Sequence, residues 1–157
     1  MARSVGNEIP EAIRPLFAGT DLEAHEGLTF LLLTATADGW PHLAMISVGE
    51  VIAVGERDLR LALWRGSTAA GNLARDGRAT LALVNDGAGY SLRCSGRSGP
   101  DLPIEHGRLA YFELRVEDAL EDVAPYAVLT SGITFRLKEP AEVLPRWHET
   151  VAALRER

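Results

Sequence analysis

The chain of 157 residues carries 22 Asp and Glu against 16 Lys and Arg, a formal net charge of -6, with 46% hydrophobic and 24% charged residues. This predicts one domain, residues 1–157, with a core of its own, and the scattered arginines argue against nucleic acid or an anionic membrane surface as a partner. The N-terminus MARSVGNEIPEAIRPLF lacks an apolar signal core, no apolar run approaches the roughly 20 residues of a spanning helix, and the single cysteine, Cys94, forms no internal disulfide, so a cytoplasmic protein is expected.

Asn7 to Ala18 has Ile9, Ile13, Leu16 and Phe17 at helical spacing, and Pro15 limits its length; the spacing predicts a short opening helix. Leu28 to Thr36 is nearly continuous in apolar and threonine residues, as in a strand buried on both faces, and Ala37-Asp38-Gly39 supplies a hairpin turn. A long second strand follows Pro41 and runs through Val48-Gly49-Glu50 to Val54, with Gly49 marking a bulge or bend. His42 stands at its mouth, where a structural hydrogen bond is the commoner use than acid or base catalysis.

The third strand, Asp58 to Trp64, alternates cleanly: Leu59, Leu61 and Leu63 share one face, and Arg60, Ala62 and Trp64 the other. One face makes core and the other is free for a ligand or partner. Past Arg65 and Gly66, Ser67 occupies the position of a helix N-cap, and Thr68 to Asp76 reads as a helix stopped by Gly77. A helix start behind a strand offers orphan N–H groups and the positive end of a dipole, here with the hydroxyls of Ser67 and Thr68 beside them, a place suited to phosphate.

Arg78 to Asn85 and Gly89 to Ser95 read as a hairpin across Asp86-Gly87, with Tyr90, Leu92 and Cys94 on one face and Cys94 a buried structural thiol. Gly96 to Pro103, GRSGPDLP, is turn-rich and predicts a surface loop. Arg108 to Glu117 alternates as a sixth strand, Asp118 to Ala124 reads as a short helix broken by Pro125, and Ser131 to Leu137 offers a last strand. From Pro140 the tail is helical, with Val143, Leu144, Trp147, Val151 and Leu154 in one packing stripe. The four histidines, His25, His42, His106 and His148, are too dispersed to propose a metal.

Strands that follow one another without a helix between each pair predict a mainly β fold of antiparallel, Greek-key-like strands closing into a barrel, with peripheral helices. The sequence GWPHL at Gly39 to Leu43, the long second strand, the short third strand, and Ser67-x-x-x-x-Asn72-Leu73 leading into Arg78 to Val84 carry a further signal. Over about Leu28 to Val84 the chain resembles the pyridoxamine 5′-phosphate oxidase-like family of FMN-binding split β-barrels. The resemblance implies a homodimer with FMN at its interface, an oxidoreductase of undefined substrate, and no assigned catalytic residue. It places the cofactor against Ala44, Met45, Ile46 and Ser47 on the second strand, Leu63 and Trp64 on the third, and Ser67 and Thr68 at the turn.

The family commonly sets a basic residue or two directly after the turn serine, where this chain has Thr68 and Ala69; its only lysine is Lys138. Arg65, Arg93 and Arg97 are the replacements that position in the sequence suggests, and FMN is expected to be held weakly or not at all. The chain ends PRWHETVAALRER, without the arginine-histidine substrate motif of the oxidase proper, so vitamin B6 oxidation is not implied. Two alternatives stand beside the flavoenzyme: a barrel that has lost its flavin and serves as a non-enzymatic dimeric binding protein, and a barrel that holds a deazaflavin or haem in the same groove.

Overall fold

Leucines at every second position of Asp58–Trp64 all turn inward, and the sheet is built outward from that strand. The structure is a computed structural model and describes residues 1–157. Its strands are β1 (Ala2–Gly6), β2 (Phe30–Ala35), β3 (Pro41–Ile46), β4 (Val51–Ala53), β5 (Asp58–Trp64), β6 (Arg78–Asn85), β7 (Ala88–Ile104) and β8 (Gly107–Asp122). Its helices are α1 (Thr68–Asp76) and α2 (Pro140–Arg155).

The hydrogen-bonded order is β3-β2-β6-β7-β8-β5-β4, with β1 set against β8 beyond the end of β5. All pairings are antiparallel. The two ends of this path, β3 and β4, are consecutive in the chain and joined only by the turn Ser47-Val48-Gly49-Glu50. The sheet therefore curls until its edges meet across that turn, which the Glu50 N–H closes by donating to the Ser47 carbonyl at 3.2 Å. Inside lies a continuous core in which Phe17 stacks on Phe30 at 4.7 Å and Leu61 faces Phe112 across the β5–β8 ladder.

The expected bounds of β5, α1 and β6 are those observed. So is the hairpin turn, where Asp86 and Gly87 both take positive φ, 47° and 79°, as a two-residue turn between twisted strands requires. Elsewhere the structure corrects the reading. The opening segment is not an α-helix: β1 comes first, and only Arg14–Phe17 makes a 3-10 turn. Pro10 and Pro15 punctuate the segment, and the N–H groups of both Ile13 and Arg14 bond the Pro10 carbonyl in a turn that goes no further. Ile9, Ile13 and Phe17 are buried nonetheless, so the spacing records burial without a regular helix.

The β2 strand is buried on one face, not two: Phe30, Leu32 and Thr34 point inward. The long second strand is two strands, because Gly49 sits so close to Trp147 of α2 that a Cβ there would lie 2.1 Å from Trp147 Cγ, and the chain turns. The loop expected at Gly96 to Pro103 is the far half of β7. A register shift between Gly99 and Leu102 takes Pro100 and Asp101 out of the ladder, and Gly96 allows a close approach in which a Cβ would meet the Glu113 carbonyl oxygen at 2.3 Å.

Asp118 to Ala124 is likewise no helix; up to Asp122 it is strand, because β1 and β7 flank it. Arg3 pairs with Glu121 at 2.8 Å and Ser4 Oγ donates to Asp118 at 2.7 Å, contacts that no local pattern announces. Ser131 to Leu137 forms only one bridge, Leu28 to Thr134, supported by the Phe135 N–H donating to Gly27 O at 3.2 Å. The expected C-terminal helix is α2, with Trp147, Val151 and Leu154 buried. No helix is long and apolar enough to cross a membrane.

Candidate functional site

The turn from β5 into α1 forms as its residues dictate. Gly66 takes φ 76°, the Ser67 N–H donates to Trp64 O at 3.1 Å, and Ser67 Oγ accepts from Ala70 N at 3.3 Å as an N-cap. At the other end, Gly77 in the left-handed region donates its N–H to Leu73 O at 2.9 Å. Asn72, buried, ties the helix to β2 by donating to Thr34 Oγ1 at 3.0 Å while its own oxygen accepts from Arg75 at 3.2 Å. The spacing Ser67-x-x-x-x-Asn72 thus places one residue at the cap and one against the neighbouring strand.

Beside this turn a cavity of about 560 Å³ opens where the end of β3 and the Ser47–Glu50 turn meet β5, the start of β8, residues 133–137 and α2. Its volume lies in the range of roughly 300–1,000 Å³ that small-molecule sites occupy. Met45, Ile46, Ser47 and Trp64, four of the residues expected from the sequence, line it. The others stand outside the wall. Ala44 packs against the core, Leu63 is buried within it, and Ser67 and Thr68 begin α1. Arg65 is held by Asp101 at 3.0 Å.

The position after Thr68 cannot host a solvated cation, since Ala69 is only 2% exposed and faces the core. Arg93 and Arg97, the other cations suggested by position, are engaged with Asp118 at 3.5 Å and Glu113 at 2.7 Å. The cation that does reach the cavity is Arg146 of α2, which stacks 5.0 Å from the centre of the Trp64 ring and joins no ion pair.

Several further wall residues escaped the sequence reading. Phe135 and Trp147 meet edge to face at 6.4 Å, and Thr29 lines the wall with a buried Oγ1 that has no hydrogen-bond partner. Glu50 lines it too; its Oε2 accepts from Ser47 N at 2.6 Å and Ser47 Oγ at 2.8 Å. Burial pushes the Glu50 carboxyl above its ordinary value, against the opposing pull of the Ser47 hydrogen bonds and the Arg146 charge. These residues come from segments far apart in the chain, and a helical stripe such as that of Trp147 is ordinarily core. The one sign available was Arg146, outside the apolar stripe but next in sequence to its Trp147.

Two other residues weighed from the sequence lie apart. His42 is in β3 opposite Thr34 and is not in the cavity wall. Cys94 is buried, and burial with the nearby Glu117 pushes its thiol up to about 12, so it stays protonated and unreactive at neutral pH.

A curled antiparallel sheet whose edges meet at a closing turn, with a short helix after β5, defines a split β-barrel. Solved structures bear this out. A putative pyridoxamine 5′-phosphate oxidase from Lactobacillus delbrueckii superposes with TM-score 0.56 at 15% identity, covering 74% of this chain and 98% of that one. A heme binding protein from Mycobacterium smegmatis gives 0.53 at 17% identity over 78% of this chain and 59% of its own. A protein described as F420 reductase gives 0.50 at 13% identity over 71% and 98%. No family model matches the chain. The uncharacterized protein YclD of Bacillus subtilis strain 168 is 37% identical over 149 residues, 95% of this chain and 97% of YclD. The chain belongs to the family of YclD.

Proposed function

We propose that this protein binds FMN in the cavity beside Trp64, as a homodimer, and serves as an oxidoreductase. The observation that carries the reading is the wall itself: Trp64, Phe135 and Trp147 offer flat apolar surface to a conjugated ring, and Arg146 stands unpaired at Trp64 to meet an anionic tail. The donor set fits FMN. Thr29 Oγ1 is a polar atom in want of a partner, the only charged wall residues are Glu50 and Arg146, and the remaining polar groups are hydroxyls, the two indole N–H groups and backbone. When bound, a flavin supplies hydride and electron transfer; the chain's part is to hold its ring, anchor its phosphate and exclude water.

Arg146 takes the role that the residues after Ser67 leave open. Its planar guanidinium can meet two phosphate oxygens at once, and its stacking on Trp64 fixes it in advance. Support for the homodimer comes from exposed apolar side chains along β3 and the hairpin before it: Trp40 at 71% exposure, Leu43, and Met45 at 62%. Residues 124–137 add Tyr126, Val128 and Ile133. A haem is the poorer occupant, since the wall offers only the Met45 thioether as an axial ligand and no His, Cys or Tyr.

Calorimetric titration with FMN and riboflavin tests the reading. Saturable FMN binding at one per chain, tighter than riboflavin by roughly tenfold or more, is expected from a charge-assisted phosphate contact. No heat from either ligand would support the flavin-free barrel instead. Light scattering is expected to give twice the 17.0 kDa chain mass, and a monomer would remove the dimeric part of the proposal.

A further inference from the structure

Glu50 is the one carboxyl in the cavity wall, and one of its oxygens is unused. Its backbone is fixed on both sides, the N–H donating to Ser47 O at 3.2 Å and the carbonyl accepting from Ala62 N at 2.8 Å. Its side chain is fixed as well, because both Ser47 hydrogen bonds fall on Oε2, at 2.6 and 2.8 Å. Gly49, pressed against the Trp147 ring, keeps the turn from drifting. Oε1 takes no hydrogen bond from the chain, and Glu50 is part of the cavity wall.

Closing the turn uses only one oxygen of this half-buried carboxyl and leaves the other accessible. The hydroxyls of Ser47, Thr134 and Thr150 in the same wall can donate or accept and so select little. An ionised carboxylate only accepts, which makes Glu50 the one acceptor-only side chain in the wall.

We infer that Glu50 Oε1 is the acceptor for a ring N–H on the rim of a flat heteroaromatic ligand, and that it orients the ligand with its anionic end toward Arg146. The inference rests on the reading of the cavity as a cofactor site and adds the edge by which the cofactor is recognised. Flavins and 5-deazaflavins carry such a donor in their imide N–H, whereas a metalloporphyrin has no N–H on its rim. Ligands presenting a carboxylate or phosphate to this corner are repelled.

Riboflavin and N3-methylriboflavin, which lacks the imide proton, separate the outcomes when titrated by flavin fluorescence. The natural protein is expected to prefer riboflavin by about 10- to 100-fold, the usual worth of a hydrogen bond to a charged acceptor. Glu50→Leu is expected to bind both within about threefold of each other. Glu50→Gln, which leaves an oxygen for Ser47 and turns an NH₂ toward the ligand, is expected to lose the preference too and covers the case in which the leucine variant fails to fold. Equal binding of the two flavins by the natural protein, or a preference that survives in both variants, overturns the inference while leaving the cavity as a flavin site. Binding of neither flavin overturns the cofactor reading and this inference together.

Discussion

The Arg146 guanidinium lies 5.0 Å from the centre of the Trp64 ring, so the last residue of β5 and a residue of α2 share one edge of the cavity. The pair supplies a fixed cation where the turn after Ser67 has none. Arg146→Met, which keeps the hydrophobic stem and removes the charge, is expected to weaken FMN about 10- to 100-fold and riboflavin less than about threefold. Equal losses for both would show that Arg146 acts by packing and not on phosphate.

Gly49 and Trp147 form the contact that seats α2 on the closing turn. With a Cβ at position 49 placed 2.1 Å from Trp147 Cγ, Gly49→Ala forces the ring or the turn to move and is expected to cost about 1–3 kcal/mol in urea unfolding. Trp147→Ala removes a buried ring, at about 3–5 kcal/mol. In the double variant the cost of the alanine at 49 should fall without vanishing, because the ring is gone while the Cβ of residue 147, 2.5 Å from the added methyl, remains. Additive costs would mean that the turn tolerates the methyl by another route.

Ser67 holds the start of α1 through its Oγ, which accepts from Ala70 N at 3.3 Å. Ser67→Ala is expected to lower stability by about 0.5–2 kcal/mol and Ser67→Gly by only a few tenths. A hydroxyl that also meets phosphate would show itself differently: both variants would lose FMN affinity to the same degree whatever their stabilities. Parallel measurement of unfolding and FMN titration separates the two roles.

Much of this was legible in the sequence where a single element carries its own signal. Leu59, Leu61 and Leu63 alternate, Ser67 and Gly77 bracket a helix, and Asp86-Gly87 turns a hairpin; each signal is local and each element formed where it was expected. Reading failed where a distant partner decides. Asp118 to Asp122 is strand because β1 lies against it, and Arg97 to Leu102 is strand because β8 extends far enough to pair it across a bulge. Ser131 to Leu137 has strand-forming residues but only Leu28 to pair with, at one bridge. The site divides in the same way: Met45, Ile46, Ser47 and Trp64 follow from the family pattern of consecutive strands, whereas Glu50, Phe135 and Arg146 are brought in by closure of the barrel and the docking of α2.

Glu50 makes stability depend on pH with a definite sign. Burial raises its carboxyl in the folded state, so the native protein holds that proton more tightly than the unfolded chain. Its contribution is then fully present below the ordinary glutamate range and is lost as pH rises through the raised value. Glu50→Gln, neutral at every pH, is expected to melt above the natural protein at pH 7, with the gap closing as pH falls toward 4. A gap of the opposite sign at pH 7 would show that Ser47 and Arg146 more than offset the burial of the charge.

Occupation of the cavity is tested most directly by filling it. Met45 lines the cavity yet is 62% exposed, so a larger side chain there can enter the space without straining the core. FMN titrated into the natural protein and into Met45→Trp, with melting temperature and oligomeric state followed in parallel, gives the decisive comparison. The account predicts saturable binding by the natural protein at one FMN per chain and at least about a tenfold loss in the variant, with folding unchanged. FMN binding of the same strength in both would place the flavin elsewhere and contradict the account.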